Sequence, residues 1–210
     1  YPFSGSFARA CQQTQLISDL DPEARNLEGY LYPETYYFTR GIRAEEMVAA
    51  MVGQFKKNLS QKEQDRAREL NLSLRQVVTL ASLIEKETGR AEEKPLISAV
   101  FHNRLRLKMK LDCDPTIIYV LKLENKFDGN LRLADKNLNS PYNTYLYPGL
   151  PPGPICNPGR SSIQAALYPA SVDYLYFVSK NDGSHIFNRS YSDHLQAVKK
   201  FQLKNNRQLR

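Results

Sequence analysis

A helix that must be buried over most of its circumference is the strongest constraint in this sequence. In SLRQVVTLASLIEKETGR, Ser73 is a good N-cap, Gln76 completes a capping box three residues later, and Gly89 is a plausible stop. At about 100° per residue the apolar side chains cover a wide arc. The rest of the chain is therefore expected to pack around this helix. The arc contains Val77, Val78, Leu80, Ala81, Leu83 and Ile84.

Two glutamates lie on or beside that apolar arc. Glu87 has Arg90 three residues later as an ion-pair partner, whereas Glu85 has only Thr88 and Gly89 at the corresponding positions. A carboxyl group among apolar neighbours without a counter-ion keeps its proton more readily, as a general acid requires. The alternative is that both acids are partly solvated and paired with basic residues from elsewhere in the chain.

The remaining pattern predicts an α+β fold: a helical body that carries the acid, a small mixed sheet and a long cleft loop. Helices are predicted over residues 44–59, 61–70, 95–108, 116–123, 161–168 and 191–201. Short strands are predicted within residues 27–40, and a hairpin over 174–179 and 184–188 with its turn at Asn181-Asp182-Gly183. The main domain is predicted to span residues 27–210, with 1–26 left from a preceding subdomain or linker.

Residues 111–159 form a long stretch rich in proline, asparagine, glycine and tyrosine. A loop of that length in a compact domain is usually functional or disordered, and the prolines favour an ordered backbone. Its amide and hydroxyl groups suit the binding of sugar hydroxyl and acetamido groups. A shaped cleft wall is therefore favoured over a proline-rich ligand segment.

Charge and cysteine content limit the remaining classes. A net charge of +7 and a pI near 9.2 indicate anionic partners, but charge alone does not separate nucleic acid, lipid and peptidoglycan. The basic residues around Arg104 are expected on a solvated helix face. Neither the cysteines nor the histidines have metal-site spacing, so no metal or cofactor is predicted. Cys113 and Cys156 could form a disulfide if their loops meet.

Six segments then resemble a known family in order: LEGYLYPETY, ASLIEKET, VFHNRLRLKMKLDCDPT, SPYNTYLYPGLPPGPICNPG, AALYPA, and YLYFV with HIFN. Together they resemble the catalytic domain of the MltG (YceG-like) endolytic murein transglycosylases over residues 27–201. The resemblance implies that Glu85, the first acid of the EKE triplet, is catalytic and that Glu87 supports it. It also implies that the cleft is lined by Asp114, Asn143, Thr144 and Tyr145.

The family implies cleavage of the β-1,4 bond between N-acetylmuramic acid and N-acetylglucosamine in peptidoglycan, leaving 1,6-anhydromuramyl ends. It further implies a single-pass inner-membrane anchor upstream, a periplasmic site, and partners in the elongation or division machinery. Asp112 departs from the family pattern, which has an uncharged residue there. A lysozyme-like hydrolase and a non-enzymatic glycan-binding module remain alternatives, and nucleic-acid binding is not expected.

Overall fold

The computed structural model describes residues 4–203 and has the expected α+β architecture. The strands are β1 (Tyr176–Ser179) and β2 (His185–Asn188). Eight α-helices account for most of the regular structure of these residues. They are α1 (Ser4–Ala10), α2 (Ala44–Asn58), α3 (Gln61–Glu69), α4 (Leu74–Glu87), α5 (Lys94–Arg106), α6 (Asp114–Leu123), α7 (Arg160–Leu167) and α8 (Tyr191–Val198).

Helix α4 is the centre of the fold, as its sequence predicts. Residues 77–84 are buried without a break, and the helix is enclosed by α3, α5, α6 and α7. The capping box is confirmed: Ser73 Oγ accepts from Gln76 N–H, and Gln76 Oε1 accepts from Ser73 N–H at 2.8 Å. The helix ends at Glu87, because the backbone of Thr88 is extended. In its last turn, Glu85 and Glu87 face different neighbours.

The predicted hairpin is also confirmed. Strands β1 and β2 are antiparallel, with Phe177 opposite Phe187 and Ser179 opposite His185. The turn uses left-handed backbone at Asn181 (φ 64°) and Gly183 (φ 80°), conformations that asparagine and glycine adopt most easily. Phe177 packs edge-on against Phe101 of α5, with ring centroids 6.1 Å apart, so the hairpin is attached to the helical body.

The strands predicted within residues 27–40 are absent, and the sheet is a two-stranded antiparallel hairpin rather than a mixed sheet. The backbone N–H groups of Gly29 and Leu31 both donate to Asn157 Oδ1, at 2.8 and 3.1 Å, and Tyr32 N–H donates to the carbonyl of Met51. The side chain of Asn157 and the helix α2 thus accept the hydrogen bonds that a neighbouring strand would accept in a sheet. Gly29 also has a φ of 89° and lies against Pro154, which is incompatible with a regular strand.

The long loop is ordered by bonds to the helical body, as its proline content predicts. Ser82 Oγ accepts from Ile155 N–H at 3.0 Å, and Arg75 donates to the carbonyl of Pro152 at 3.3 Å. A short 3-10 turn at Leu133–Asn137 is its one helical segment between α6 and α7. The later part of the loop is therefore fixed against α4.

The described residues before Leu27 pack against the rest of the fold. Ala10 and Ile17 belong to the same core cluster as α4, and Leu27 N–H donates to the carbonyl of Cys11 at 2.8 Å. The predicted domain boundary before Leu27 stays a prediction. Within residues 4–203, no helix combines the length and the apolar character needed to cross a membrane.

Candidate active site

A cavity of about 660 Å³ lies where the end of α4 meets the start of α6, the hairpin and α8. Its wall combines acids, bases and aromatic rings, the composition expected of a site that binds and transforms a polar ligand. The ionisable and aromatic residues on this wall are Glu87, Arg104, Asp112, Asp114, Lys136, Tyr145, Tyr176, Phe177, His185, Tyr191 and His194.

Glu87 is the titratable group of this cavity that is most clearly tuned toward neutral pH. Burial raises the pKa of its carboxyl group to about 7, and the negative charge of Asp114 acts in the same direction. A hydrogen bond with the Cys113 thiol and the charge of Arg104 oppose the increase in pKa but do not cancel it. Glu87 can therefore be protonated near neutral pH and can release that proton.

The predicted partner of Glu87 points elsewhere. Arg90 lies 3.9 Å from Glu92 and donates at 3.1 Å to the carbonyl of Asp182 in the hairpin turn. The expected ion pair with Glu87 is not formed in the part of the chain that the structure describes. Helix α4 ends before Arg90, so the helical i, i+3 geometry on which that prediction depended does not extend to it.

The environment predicted for Glu85 is also wrong, because Glu85 has a cation. Lys94 Nζ lies 3.1 Å from Glu85 Oε2, which also accepts from Ser162 Oγ at 2.5 Å and from Gly159 N–H at 3.2 Å. Burial acts to raise the pKa of Glu85, but the bonds from Ser162 and Lys94 outweigh it and hold the pKa below its ordinary value. Glu85 is thus ionised and holds α4 against α5, α7 and the loop before α7.

Asp114 and Tyr145, which were predicted to line the cleft, meet on the wall of this cavity. Tyr145 Oη donates to Asp114 Oδ1 at 2.5 Å, and Lys136 Nζ lies 2.8 Å from each of these two oxygen atoms. Burial, followed by the bond to Asp114, raises the pKa of Tyr145, so its hydroxyl stays protonated. The three side chains fix one another beside Glu87, and the carboxyl group of Asp114 is paired with Lys136.

Asn143 and Thr144, also expected at the cleft, lie behind its wall and are buried. Asn143 Nδ2 donates to the carbonyls of Lys136 and Leu138, at 3.0 and 2.7 Å, and Thr144 Oγ1 accepts from Cys113 N–H at 3.0 Å. Their side chains therefore shape the loop that carries Lys136 and Tyr145. The hydrogen-bonding groups named here are already used in bonds within the protein.

Asp112 pairs with Arg104, whose guanidinium donates to Asp112 Oδ2 at 2.8 Å and to the carbonyl of Leu175 at 2.7 Å. Arg104 is buried, which contradicts the solvated position predicted for it. The three cysteines are free, so Cys113 and Cys156 are not bridged. Cys113 faces Glu87, while Cys156 Sγ donates to the carbonyl of Ser82 at 3.4 Å.

Several residues at or beside the site were not singled out from the sequence, among them Lys94, Lys136, Glu93 and His185. Lys94 follows Glu85 by nine residues and lies on another helix, so no helical spacing connects them. His185 Nδ1 lies 2.7 Å from Glu93 Oε2 across 92 residues of chain. Only Lys136 had a local signal, because it lies in the long loop that was already predicted to form a cleft wall.

Comparison with known proteins agrees with this architecture. The sequence model of the YceG-like family matches residues 4–200. Two relatives are named endolytic murein transglycosylase: one from Bacillus subtilis, 38% identical over 176 residues, and one from Streptococcus pneumoniae serotype 2, 35% identical over 178 residues. These alignments cover 83% and 82% of this chain but 48% and 32% of the relatives, so the chain spans half of their length or less.

A solved structure extends the similarity to the fold. A YceG-like protein from Listeria monocytogenes superimposes with a TM-score of 0.78 at 32% sequence identity, covering 91% of this chain and 66% of that one. The family match covers nearly all of the described residues, and the structural match covers 91% of the chain. By sequence and by structure, the chain belongs to the YceG-like family.

Proposed function

We propose that this chain is the catalytic part of an endolytic lytic transglycosylase of peptidoglycan. It would cleave the β-1,4 bond between N-acetylmuramic acid and N-acetylglucosamine and leave 1,6-anhydromuramyl ends. The observation that carries the proposal is a carboxyl group, Glu87, with a pKa raised to about 7 on the wall of a cavity of about 660 Å³. The names of the relatives support the choice of murein as substrate.

The acid in this proposal is Glu87, and the catalytic role that the sequence predicted for Glu85 remains a competing prediction. A proton donor must hold its proton in the resting enzyme, and its pKa should lie near the working pH. Glu87 meets that requirement, whereas three donors stabilise Glu85 as a carboxylate. In addition, Glu87 lines the cavity, and the carboxylate of Glu85 is already occupied by Lys94, Ser162 and Gly159.

In the first step, protonated Glu87 donates its proton to the glycosidic oxygen as the bond from that oxygen to C1 of the muramyl sugar breaks. The sugar passes through an oxocarbenium-like state. In the second step, the Glu87 carboxylate takes the proton of the C6 hydroxyl as that oxygen attacks C1. The 1,6-anhydro ring closes, Glu87 regains its proton, and no water is consumed.

The other charged groups have supporting roles in this scheme. Asp114 lies close enough to Glu87 to favour its protonated form, while Lys136 and Tyr145 hold Asp114 in place. Arg104 limits the increase in the Glu87 pKa, so that the proton can still be released near neutral pH. Asn143 and Thr144 hold the loop that presents Lys136 and Tyr145.

A lysozyme-like hydrolase is the second candidate, and the additional carboxylates of the cavity favour it. A glycoside hydrolase normally uses a second carboxylate as nucleophile or as base for water. Asp112 and Asp114 lie on the same wall as Glu87. However, Asp112 is paired with Arg104, and Asp114 with Lys136 and Tyr145, so neither is a free base.

Murein as substrate would place the site on the extracytoplasmic side of a bacterial cell. The single-pass inner-membrane anchor and the partners in cell-wall elongation or division remain predictions from the family resemblance. A glycan-binding module without activity would need the same cavity, but it would have no use for a carboxyl group with a pKa near 7.

The test is mass analysis of the ends released from purified peptidoglycan by the wild type, Glu87→Gln and Glu85→Gln. We expect anhydro ends from the wild type, with a rate about 10²–10⁴-fold lower for Glu87→Gln because the general acid is missing. Glu85→Gln should keep the cleavage chemistry. Reducing ends that contain an added water would identify a hydrolase instead.

Two further outcomes would change the assignment. If Glu85→Gln folds normally and loses cleavage while Glu87→Gln retains it, the acid is Glu85, as the sequence predicted. If the wild type binds glycan strands but releases no ends under any condition of pH, the chain is a binding module. Circular dichroism and thermal unfolding of each variant separate loss of activity from loss of fold.

A further inference from the structure

We propose that His185 is a substrate-binding residue of the cavity, and that its Nε2 accepts a hydrogen bond from the acetamido N–H of a sugar. Glu93 is the positioning residue that fixes the imidazole for this role. The inference depends on the proposed function, because the glycan is the ligand, but it concerns recognition rather than bond cleavage.

Three hydrogen bonds fix the dyad in place. Glu93 Oε1 accepts from the backbone N–H of His185 at 3.0 Å, and Glu93 Oε2 lies 2.7 Å from His185 Nδ1. Thr88 Oγ1 donates to Glu93 Oε2 at 3.3 Å. The side chains of both His185 and Glu93 are about one-tenth exposed, at 9% and 11%, so bulk water competes little for these bonds.

The protonation state of Glu93 determines what His185 presents to the cavity. Burial acts to raise the pKa of Glu93, but the hydrogen bonds from His185 outweigh it and hold that pKa below its ordinary value. An ionised Glu93 accepts a hydrogen bond from Nδ1–H, and in the Nδ1–H tautomer of the imidazole the lone pair lies on Nε2. Among residues 4–203 no group bonds to Nε2, and His185 lines the cavity beside Glu87.

An acceptor at this position selects a ligand that brings an N–H or O–H donor. The ring of Phe177 lies edge-on to His185, with centroids 5.5 Å apart, and both Phe177 and Val178 line the cavity. An acetamido group carries its N–H close to a methyl group, whereas a hydroxyl brings no apolar part. The acceptor together with the apolar surface therefore favours an acetamido group, which every sugar of the murein repeat carries.

The same hydrogen bonds connect His185 to the segment that carries the proposed acid, Glu87. Thr88 follows Glu87 directly and donates to Glu93, so the end of α4 is joined to His185 by two successive hydrogen bonds. A sugar held at His185 would occupy the cavity that Glu87 also lines, and it would keep a fixed position relative to the proton donor.

The main experiment measures binding without cleavage, by calorimetry in a Glu87→Gln background. His185→Asn is the informative variant, because the asparagine amide can replace Nδ1–H toward Glu93 while Nε2 is removed. We expect His185→Asn to weaken the affinity for N-acetylated strands about 3- to 10-fold, the loss typical of one hydrogen bond. Affinity for control strands whose acetamido nitrogen is methylated, and which therefore offer no N–H donor, should change less than twofold. An equal loss on both kinds of strand, or no loss on either, would overturn the proposal.

A second measurement leaves His185 intact, so it does not depend on the folding of a variant. In the Glu87→Gln protein, the ¹⁵N resonance of His185 Nε2 should shift when N-acetylated strands are added, and the absence of a shift would contradict the contact. In the wild-type background, His185→Asn should raise KM about 3- to 10-fold and leave kcat within about twofold. A purely structural role would alter neither the preference for N-acetylated strands nor the Nε2 resonance.

The outcomes also separate this inference from the proposed function. If the wild type cleaves no glycan but His185→Asn removes the preference for N-acetylated strands, the proposed activity fails and the inference stands. If cleavage occurs and the preference is independent of His185, the inference fails and the activity stands. Glu93→Gln should reduce the same preference, because the glutamine amide cannot accept from both N–H groups of His185.

Discussion

Lys94 Nζ lies 3.1 Å from the carboxylate of Glu85, and this ion pair distinguishes the two acids of the EKE triplet. Lys94 is almost completely buried, and Glu85 is partly exposed. The ionised carboxylate holds α4 against α5 and α7, whereas Glu87 faces the cavity with its pKa raised. Two carboxyl groups separated by one residue thus have opposite properties because their neighbours differ.

The first prediction concerns the contribution of the Glu85–Lys94 pair to stability. Glu85→Ala should lower the free energy of unfolding by about 3–5 kcal/mol, because it leaves Lys94 as an unpaired buried charge. Lys94→Met should cost less, about 1–3 kcal/mol, since Glu85 keeps its bonds to Ser162 and Gly159. Urea unfolding at pH 7 measures both changes.

The control for that prediction is Glu69→Ala, which removes the exposed ion pair with Arg66 and should cost about 1 kcal/mol or less. The pH dependence has a definite sign. Because the pKa of Glu85 is lowered by folding, its contribution is present above the ordinary value of 4.5 and is lost as the pH falls. A cost for Glu85→Ala no larger than that of the control would show that the pair is not structural.

The second prediction is the pH dependence of cleavage. If Glu87 is the acid, its protonated form is active, so kcat/KM should fall about tenfold per pH unit above about 7. Glycan cleavage measured between pH 5 and 9 reports this limb. Folding raises the pKa of Glu87 from 4.5 to about 7, so its contribution to stability is present below 4.5 and is lost as the pH rises through 7. An alkaline limb near pH 4.5 would contradict this assignment.

Helices and turns were predictable from the sequence wherever the residues that specify them lie within the same segment. The capping box of Ser73 and the turn at Gly183 are local, and both were predicted correctly. The Glu85–Lys94 pair and the bonds of Asn157 to Gly29 and Leu31 join distant segments. Periodicity along one helix or strand contains no information about such contacts, so the environment of Glu85 and the strands within residues 27–40 were predicted wrongly.

The third prediction tests the electrostatic coupling between Asp114 and Glu87. Asp114→Asn removes a negative charge that raises the pKa of Glu87, so the alkaline limb of kcat/KM should move to lower pH. The control is Tyr145→Phe, which removes the hydrogen bond to Asp114 but keeps its charge and its contact with Lys136. A limb that moves equally in both variants would attribute the effect to loop geometry rather than charge.

The fourth prediction compares two arginines on one helix that the sequence treated alike. Arg104 donates to the carbonyls of Leu175 and Leu111 and to Asp112, whereas Arg106 is exposed. Arg104→Met leaves buried acceptors without a donor and should cost about 3–5 kcal/mol in urea unfolding. Arg106→Met should stay within about 0.5 kcal/mol of the wild type.

Because the charge of Arg104 also lowers the pKa of Glu87, any folded Arg104→Met protein should shift the alkaline limb of cleavage to higher pH. Equal costs for the two substitutions would mean that Arg104 does not hold the segment before the hairpin and the segment before α6 together.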